Sequence, residues 1–421
     1  MAKWRRIAEF LALRRNTSLL LIALVLAGTG ERLWLGFTPK YLLELGAAPF
    51  VVGLFDALQT FLGAVYAWPG GWLTDRWGQR RSLMLFSILS LAGYLLLLVW
   101  HHWLAVIFGA FLFLAWTALS LPTTFAVVAT SIEAARHTMG IGVQSMVRRV
   151  PMLIGPLAGG WLISRFGWIQ GVQYSLLACI GLNLVTMGFQ WFILEGEVRP
   201  RSRTKNQRIE DEDEDKNTSN QGASAGFGET VKSFTPTLRE LLVSDILIRF
   251  CERLPFAWVL VWATDFVGVS AKTFGVLVSF EMIAAMLCYI PVAHLADRYG
   301  RRPFVLITFG FFTLFPITLL WATTFGWLAF AFVVRGLKEF GEPARKALIV
   351  GEGTPELRAR TYGAYYLIRD CVVTSGSFLG AWLWKLGPRA NFLGAAVCGA
   401  LGTIWYWWFV FRRKGSVRGA F

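Results

Sequence analysis

Apolar runs of transmembrane length recur along the whole chain and are separated by short polar turns. Each run is long enough for a helix to cross a hydrocarbon core of roughly 30 Å. Twelve spans are predicted, over residues 17–43, 50–74, 82–101, 104–131, 138–164, 169–194, 241–268, 271–296, 303–324, 327–351, 358–386 and 391–411. The pattern indicates an all-α membrane protein, whose first expected partner is the lipid bilayer.

One long polar stretch divides the predicted spans into two groups of six. Residues 195–238 are rich in charged residues, Ser, Gly and Asn, and they include the acidic run Glu210–Asp215. Such a composition buries too little apolar surface to fold alone. We therefore predict an N-terminal six-helix bundle over residues 1–194, a disordered cytoplasmic linker over 195–238, and a C-terminal six-helix bundle over 239–421.

The charged residues are few, and their placement gives an orientation. Only 16% of the residues are charged, against about 25% in a soluble domain. The net charge of +15 comes mostly from Lys and Arg in every second short loop, such as Arg80-Arg81 and Arg301-Arg302. This alternation is the positive-inside pattern, so it indicates no nucleic-acid partner. It predicts a multi-pass protein of the inner or plasma membrane with both termini in the cytoplasm.

A short basic stretch with glycines occurs twice, each time at the predicted cytoplasmic end of a span. The first copy runs from Gly71 through Asp75-Arg76 and Gly78 to Arg81, and the second contains Asp297-Arg298 and Gly300-Arg301. Its two aspartates, at positions 75 and 297, lie 222 residues apart. This spacing suggests that the two halves of the chain are homologous.

Other residues repeat at nearly the same offset, of 221 or 222 positions. The equivalent sets are Glu31-Arg32-Leu33 with Glu252-Arg253-Leu254, Gln59 with Glu281, Pro122 with Pro343, Arg148-Arg149 with Arg369-Asp370, and Gly155 and Gly159 with Gly376 and Gly380. Five pairs of spans sharing one offset indicate two homologous six-helix halves. Duplicated helical halves are typical of secondary transporters, which bind substrate between them.

With these motifs the chain resembles the major facilitator superfamily. The resemblance covers nearly everything outside the linker, and it implies twelve transmembrane helices in two pseudo-symmetric bundles around a central cavity. It also implies a cytoplasmic gate formed by the loop motifs. The implied gate residues are Gly71, Asp75, Arg76, Gly78, Arg81, Asp297, Arg298, Gly300 and Arg301.

Two weaker motifs bear on the mechanism. Gly155-Pro156-Leu157-Ala158-Gly159-Gly160 looks like the antiporter motif of drug:proton exporters, although Gly155, Pro156, Gly159 and Gly160 would equally let two helices pack closely. Arg335–Gly341, in the tenth span, is similar to the proton-coupling arginine motif that the family usually carries in the fourth span. The fourth span here has Ala115-Trp116 instead, which puts a copied coupling mechanism in doubt.

Charged residues inside the spans are the candidate functional residues, because a charge in the bilayer needs a cavity or a partner. The candidates for proton coupling are Glu31, Glu252, Glu281 and Asp370. The candidate cavity residues are Arg32, Trp34, Gln59, Trp116, Arg148, Arg149, Arg253, Trp258, Arg335, Glu339 and Arg369. The alternative is that these charges form internal salt bridges that hold each half together.

The sequence thus predicts a secondary active transporter that works by alternating access and exports a small organic compound against a proton flux. Uptake or exchange of an anionic metabolite is an alternative, because the central arginines suit a carboxylate or phosphate ester. A non-transporting membrane sensor is another. We expect a monomer without cofactor, metal or enzymatic activity, since no nucleotide motif, metal-ligand spacing or nucleophile–base pair is evident.

Overall fold

The computed structural model describes residues 15–116, 149–193, 227–352 and 358–412, and helices dominate these residues. The helices of the first half are α1 (Arg15–Arg32), α2 (Thr38–Glu44), α3 (Pro49–Trp77), α4 (Gln79–Val99), α5 (Trp103–Trp116), α6 (Arg149–Phe166) and α7 (Trp168–Ile193). Those of the second half are α8 (Phe227–Lys232), α9 (Pro236–Phe256), α10 (Trp258–Val261), α11 (Ala271–Tyr299), α12 (Arg301–Trp321), α13 (Phe325–Leu337), α14 (Glu342–Gly351), α15 (Arg358–Leu386) and α16 (Pro388–Trp405).

Several of these helices have the length and apolarity of membrane spans. Among the described residues, five segments meet both criteria: Arg80–Val99, Trp168–Trp191, Ala271–Cys288, Arg301–Trp321 and Pro388–Phe411. The prediction of an all-α membrane protein is confirmed. The predicted fourth span continues past Trp116 and the fifth begins before Arg149, so parts of both lie outside the described residues.

The two basic motifs form equivalent turns. Gly78 separates α3 from α4 with φ 82°, and Gly300 separates α11 from α12 with φ 90°. Both values lie in the left-handed region, which glycine adopts without steric cost. The motif therefore places a glycine where each long helix must end abruptly and the next begin. We call the end of the molecule with these turns the motif end, and the other the far end.

Three of the predicted spans are broken near the middle. The first span bends between α1 and α2 through a 3₁₀ turn at Leu35–Phe37. The seventh bends after Phe256 and ends in a π-helical turn at Trp262–Phe266. The tenth is interrupted between α13 and α14 at Lys338–Gly341. Broken helices expose backbone and side chains inside a membrane protein, usually where a ligand site is formed.

Each half is held together by a close glycine contact at the same repeat position. A Cβ on Gly159 of α6 would lie 1.7 Å from the carbonyl oxygen of Leu33, and one on Gly380 of α15 would lie 2.5 Å from that of Leu254. Leu33 and Leu254 are themselves repeat equivalents. The two halves therefore share one packing design, in which small residues let helix backbones touch.

The halves meet along two equivalent seams, α3 on α15 and α6 on α11. A Cβ on Gly53 would lie 2.8 Å from the Ser377 carbonyl oxygen, and one on Gly275 would lie 2.2 Å from that of Pro156. Gly53 and Gly275 stand 222 positions apart, and both lie in the far-end turns of their helices. The halves are thus in backbone contact near the far end.

The end of the predicted linker differs from the expectation. Residues 195–226 lie outside the described residues, but α8 and the start of α9 fall within the segment predicted to be disordered. Phe234 and Leu238 are buried in the core of the second half. Thr235 caps α9 by accepting a hydrogen bond from the Leu238 amide at 3.1 Å. Apolar residues at helical spacing and this cap give the segment a fold.

Candidate substrate cavity between the two halves

A cavity of about 540 Å³ lies between the halves and is lined by both of them. Its apolar walls come mainly from Phe55, Met152, Phe256, Leu260, Phe274 and Val278. Its charged lining residues are Arg32, Asp56, Arg149, Glu281, Arg335, Lys338, Glu339 and Lys346. All three broken spans contribute to it. The cavity reaches Lys346 on the motif-end side, where the lysine side chain is 50% exposed.

Within the described ranges, three ion pairs cross from one half to the other. Arg253 donates to Asp56 at 2.8 Å, and the same carboxylate accepts a hydrogen bond from Ser377. Arg149 lies 3.3 Å from Glu339, and Lys40 lies 2.7 Å from Asp265 at the far end. Arg149 and Arg253 thus each form an ion pair between the halves, whereas the alternative drawn from the sequence is salt bridges internal to each half.

The second half also contains a continuous series of ion pairs, which we call the ionic network. Successive N–O distances are no longer than 4.0 Å. Its members, in order, are Arg335, Glu281, Lys338, Glu252, Arg249, Glu342, Arg345, Asp245, Arg369 and Asp370. The series begins in the cavity wall and ends on α15, with positive and negative groups alternating throughout.

The predicted coupling carboxylates occupy different surroundings. Glu31 is buried, with 4% exposure, whereas its neighbour Arg32 lines the cavity. Glu252 accepts hydrogen bonds from both Arg249 and Lys338 at 2.6 Å. Glu281 lines the cavity 3.3 Å from Arg335. Two cations stabilise the ionised form of Glu252, which makes it a structural ion of the network in this conformation.

The helix-packing motif contacts both halves. Gly155 and Gly159 face α1, where a Cβ on Gly155 would lie 2.4 Å from the Cβ of Arg32. Gly160 faces the other half, and a Cβ there would lie 2.3 Å from the Ala271 carbonyl oxygen. Pro156 lines the cavity between them. The small residues therefore fix the position of Arg32 and also allow the far-end seam to close.

Several predicted cavity residues do not line the cavity. Trp34 is fully buried against Tyr94 and Phe113, because the chain turns at the end of α1 and directs the indole into the first half. Trp116 is buried in the same half. Trp258 stacks on Trp384 with ring centroids 4.8 Å apart. These predictions overlooked that large aromatic side chains in a helical bundle also fill its core.

Arg369 and Asp370 also lie away from the cavity lining. Arg369 contacts Asp245 at 3.4 Å and Asp370 at 2.7 Å. Arg345 is 1% exposed, and both Asp245 and Glu342 bind it. Arg369 therefore belongs to the ion pairs that hold the second half together around Asp245.

The gate residues are only partly within the described part of the structure. Arg76, Arg81, Arg298 and Arg301 are exposed at the motif end, and Arg301 donates to the Ala347 carbonyl at 3.2 Å. Arg148 lies outside the described residues. The structure gives the backbone of Gly71, Asp75 and Asp297, but it does not describe the side chains of the two aspartates or the exposure of the glycine.

The polar residues of the site that were not among the predicted candidates include Asp56, Lys338, Lys346 and Ser377. Asp56 and Lys338 carry the signal that identified the others, a charge inside a span. The pairing of Asp56 on α3 with Arg253 on α9 depends on how the two halves pack together, which the sequence does not specify. Ser377 carries no such signal, because a hydroxyl within a membrane helix usually bonds its own backbone.

Two homologous helical halves around a charged cavity, with five described segments long and apolar enough to cross a membrane, define this protein as a membrane transporter. The family model of the Major Facilitator Superfamily matches residues 20–267 and 241–420, so the chain belongs to this superfamily. The resemblance seen in the loop motifs is thereby confirmed.

Curated relatives match over almost the whole chain. The multidrug resistance protein MdtG of Proteus mirabilis is 24% identical over 412 residues, covering 94% of this chain and 95% of the relative. MdtG of Salmonella typhimurium is 24% identical over 418 residues, covering 96% and 97%.

Solved structures show the same fold. A peptide transporter POT in complex with sulfate has a TM-score of 0.70 at 15% identity and covers 93% of this chain and 92% of its own. A mutant of the nucleoside transporter NupG has a TM-score of 0.70 at 10% identity, with 93% and 98% covered. At these identities the likeness concerns the fold alone.

Proposed function

We propose that the protein is a secondary active transporter that exports a small organic compound by alternating access. The observation that carries the proposal is the cavity between two halves whose backbones touch near the far end. A cavity of about 540 Å³ holds a drug-sized molecule. The multidrug resistance relatives favour export. Release at the far end requires the α3–α15 and α6–α11 seams to separate.

The proposal is tested by trapping the present conformation. A Cβ on Gly53 would lie 2.8 Å from the Cβ of Ala381, close enough for a disulfide after a small shift. In a background without the native cysteines, the double variant Gly53→Cys/Ala381→Cys should lose uptake of dyes into everted vesicles, the direction that corresponds to export, on oxidation and recover it on reduction. Each single variant serves as control. Undiminished transport by the oxidised double variant would contradict alternating access at this seam.

Proton coupling is the second part of the proposal, and Glu31 is our first candidate. It is buried next to Arg32 of the cavity, and carboxyl groups within membrane helices are typical members of proton relays in transporters. Glu31→Gln should abolish accumulation driven by a pH gradient in proteoliposomes while sparing downhill exchange. Glu252→Gln is the comparison. If both variants accumulate substrate with the wild-type pH dependence, Glu281 and Asp370 become the candidates.

We further propose that the motif end and both termini face the cytoplasm, as the distribution of Lys and Arg favours. With the native cysteines removed, Ser219→Cys in the linker should resist an impermeant maleimide in intact cells and react after permeabilisation. Reaction in intact cells would invert the orientation. A membrane sensor remains the alternative to transport, and it would bind ligands without any flux in proteoliposomes.

A further inference from the structure

From the geometry of the cavity we infer that Arg32 binds an acidic group of the transported compound, whose remaining part is apolar. The expected substrates are organic anions with a carboxylate, phosphonate or phosphate beside a hydrophobic body. The inference rests on the proposed transport function and specifies its substrate class.

The argument begins with a comparison of the two seams. Arg253 and Arg32 are repeat equivalents, and each follows the glutamate of its half. Arg253 is neutralised across the interface by Asp56, which Ser377 also contacts. At the positions equivalent to Asp56 and Ser377, the other seam has Val278 and Pro156. Arg253 therefore has the carboxylate of Asp56 opposite it. The repeat position that would give Arg32 a carboxylate is Val278, whose side chain is an isopropyl group.

The other cations of the cavity are already paired. Arg149 contacts Glu339, Arg335 contacts Glu281, Lys338 contacts Glu252 and Glu281, and Lys346 contacts Glu342. Within the described part of the chain, Arg32 has neither a carboxylate nor an aromatic ring as partner. The lining contains five cationic and three carboxylate side chains. Among these described side chains, the positive charge without a carboxylate partner is that of Arg32, which a ligand in the cavity can reach.

The surroundings of Arg32 strengthen an interaction with an anion. Arg32 is half-buried, and the cavity that it lines also has the apolar residues Leu35, Phe37, Phe274 and Val278 in its wall. In a medium of low dielectric constant, opposite charges attract more strongly than in water. The planar guanidinium offers two parallel donors to a carboxylate or phosphonate. The apolar wall would contact the hydrophobic part of the same ligand.

Arg32 is also held in place. It is the last residue of α1, directly before the turn that breaks the first span. The packing of α1 against Gly155 and Gly159 fixes its backbone. An organic cation would have to compete for its partner, because each carboxylate of the lining already contacts an arginine. These carboxylates are Asp56, Glu281 and Glu339. The cavity therefore favours anions over cations of the same shape.

The experiment compares acids, amides and amines built on one hydrophobic skeleton. Phenylbutyrate, phenylbutyramide and phenylbutylamine are titrated into the detergent-purified protein by calorimetry, together with the same three derivatives of a naphthyl and a cyclohexyl skeleton. The wild type should bind at least one acid about tenfold or more tightly than its amide, as expected for charge-assisted hydrogen bonds. No preference for the acid in any skeleton would overturn the inference.

Two sets of variants test the role of Arg32. Arg32→Gln should remove the preference for the acid while the amide still binds as before, and Arg32→Lys should retain part of it. Val278→Asp supplies the carboxylate that the other seam has, so it should remove the preference although Arg32 is still present. Val278→Asn, of similar size but uncharged, should retain it. Amide binding reports that each variant is folded.

The two proposals fail in different ways. If Arg32→Gln weakens acid and amide equally, or if Val278→Asp keeps the preference, the acid is bound elsewhere and the inference is wrong whether or not the protein transports. If the acids bind through Arg32 but are not moved across proteoliposomes with or without a pH gradient, the binding site stands and the transport proposal is wrong.

Discussion

At the scale of single residues, the two halves differ most in their buried charges. Among the described residues, no ion-pair series of this kind runs through the first half, where the positions equivalent to Asp245 and Arg249 are Leu24 and Gly28. Asp245 accepts from Arg345, Arg369 and Tyr365, and it is 1% exposed. Removing one partner of a buried ion pair leaves the other uncompensated, which costs more than the pair itself contributes.

We therefore predict that Asp245→Asn destabilises the protein by about 3–5 kcal/mol. The loss follows from leaving Arg345 and Arg369 without their shared carboxylate. Thermal unfolding of the purified protein in detergent should show a clearly lower midpoint. Lys346→Ala is the matched control, because that lysine is half exposed and such a pair contributes about 0–1 kcal/mol. Equal midpoints for the two variants would contradict a stabilising role for Asp245.

At the scale of the helices, glycine contacts determine how closely the elements pack. The contacts of Gly159 with Leu33 and of Gly380 with Leu254 bring backbones within reach of each other at equivalent places. The six-residue motif that resembles an exporter signature thus has a packing role, whatever it contributes to transport. A methyl group at either glycine would overlap a carbonyl oxygen that cannot move aside without shifting its helix.

We accordingly expect Gly159→Ala and Gly380→Ala each to lower the yield of folded protein severalfold, as judged by monodisperse elution in size-exclusion chromatography. Gly188→Ala, within α7, is the control because nothing lies within 4 Å of the added Cβ. There the change from glycine should be neutral or stabilise the helix by up to about 1 kcal/mol. Normal elution of both seam variants would show that the helices separate more easily than this packing implies.

The helices themselves could be predicted well, but their interruptions could not. Apolar periodicity placed α11 and α15 within three residues of their observed ends, because the bilayer requires a continuous apolar run. The break after Phe256 lies inside a run that remains apolar on both sides, so hydropathy does not detect it. The charges at the breaks were visible in the sequence, whereas pairs such as Arg253 with Asp56 depend on the contact between helices.

At the scale of the whole molecule, the two seams hold the far end closed by different means. The α3–α15 seam combines the Gly53 contact with the Asp56–Arg253 pair. The α6–α11 seam relies on Gly160 and Gly275, with hydrogen bonds from the Lys272 amide to Ser164 at 2.8 Å and from the Ser279 hydroxyl to the Leu153 carbonyl at 3.2 Å. Separation of the halves must disrupt both.

Gly275→Ala should shift the protein away from the present conformation, since its Cβ would lie 2.2 Å from the Pro156 carbonyl oxygen. In a background without native cysteines, a cysteine at Ser279, which is 6% exposed in this seam, should then react with a maleimide severalfold faster, because the seam that covers it has opened. Gly310→Ala, whose Cβ meets nothing within 4 Å, should leave the rate unchanged. Equal rates in both variants would show that the seam tolerates the methyl group.

The restriction of the ionic network to one half has a consequence for how the molecule can diversify. The two halves of a duplicated chain need not tolerate substitutions equally well. In the second half, a substitution at one member of the ionic network leaves the charges of its neighbours uncompensated. Such a substitution is therefore tolerated only together with a second one that restores the charge balance. The cavity wall of the first half, with Arg32 beside apolar residues, can accept replacements one at a time. New substrate preferences should therefore arise first on that side.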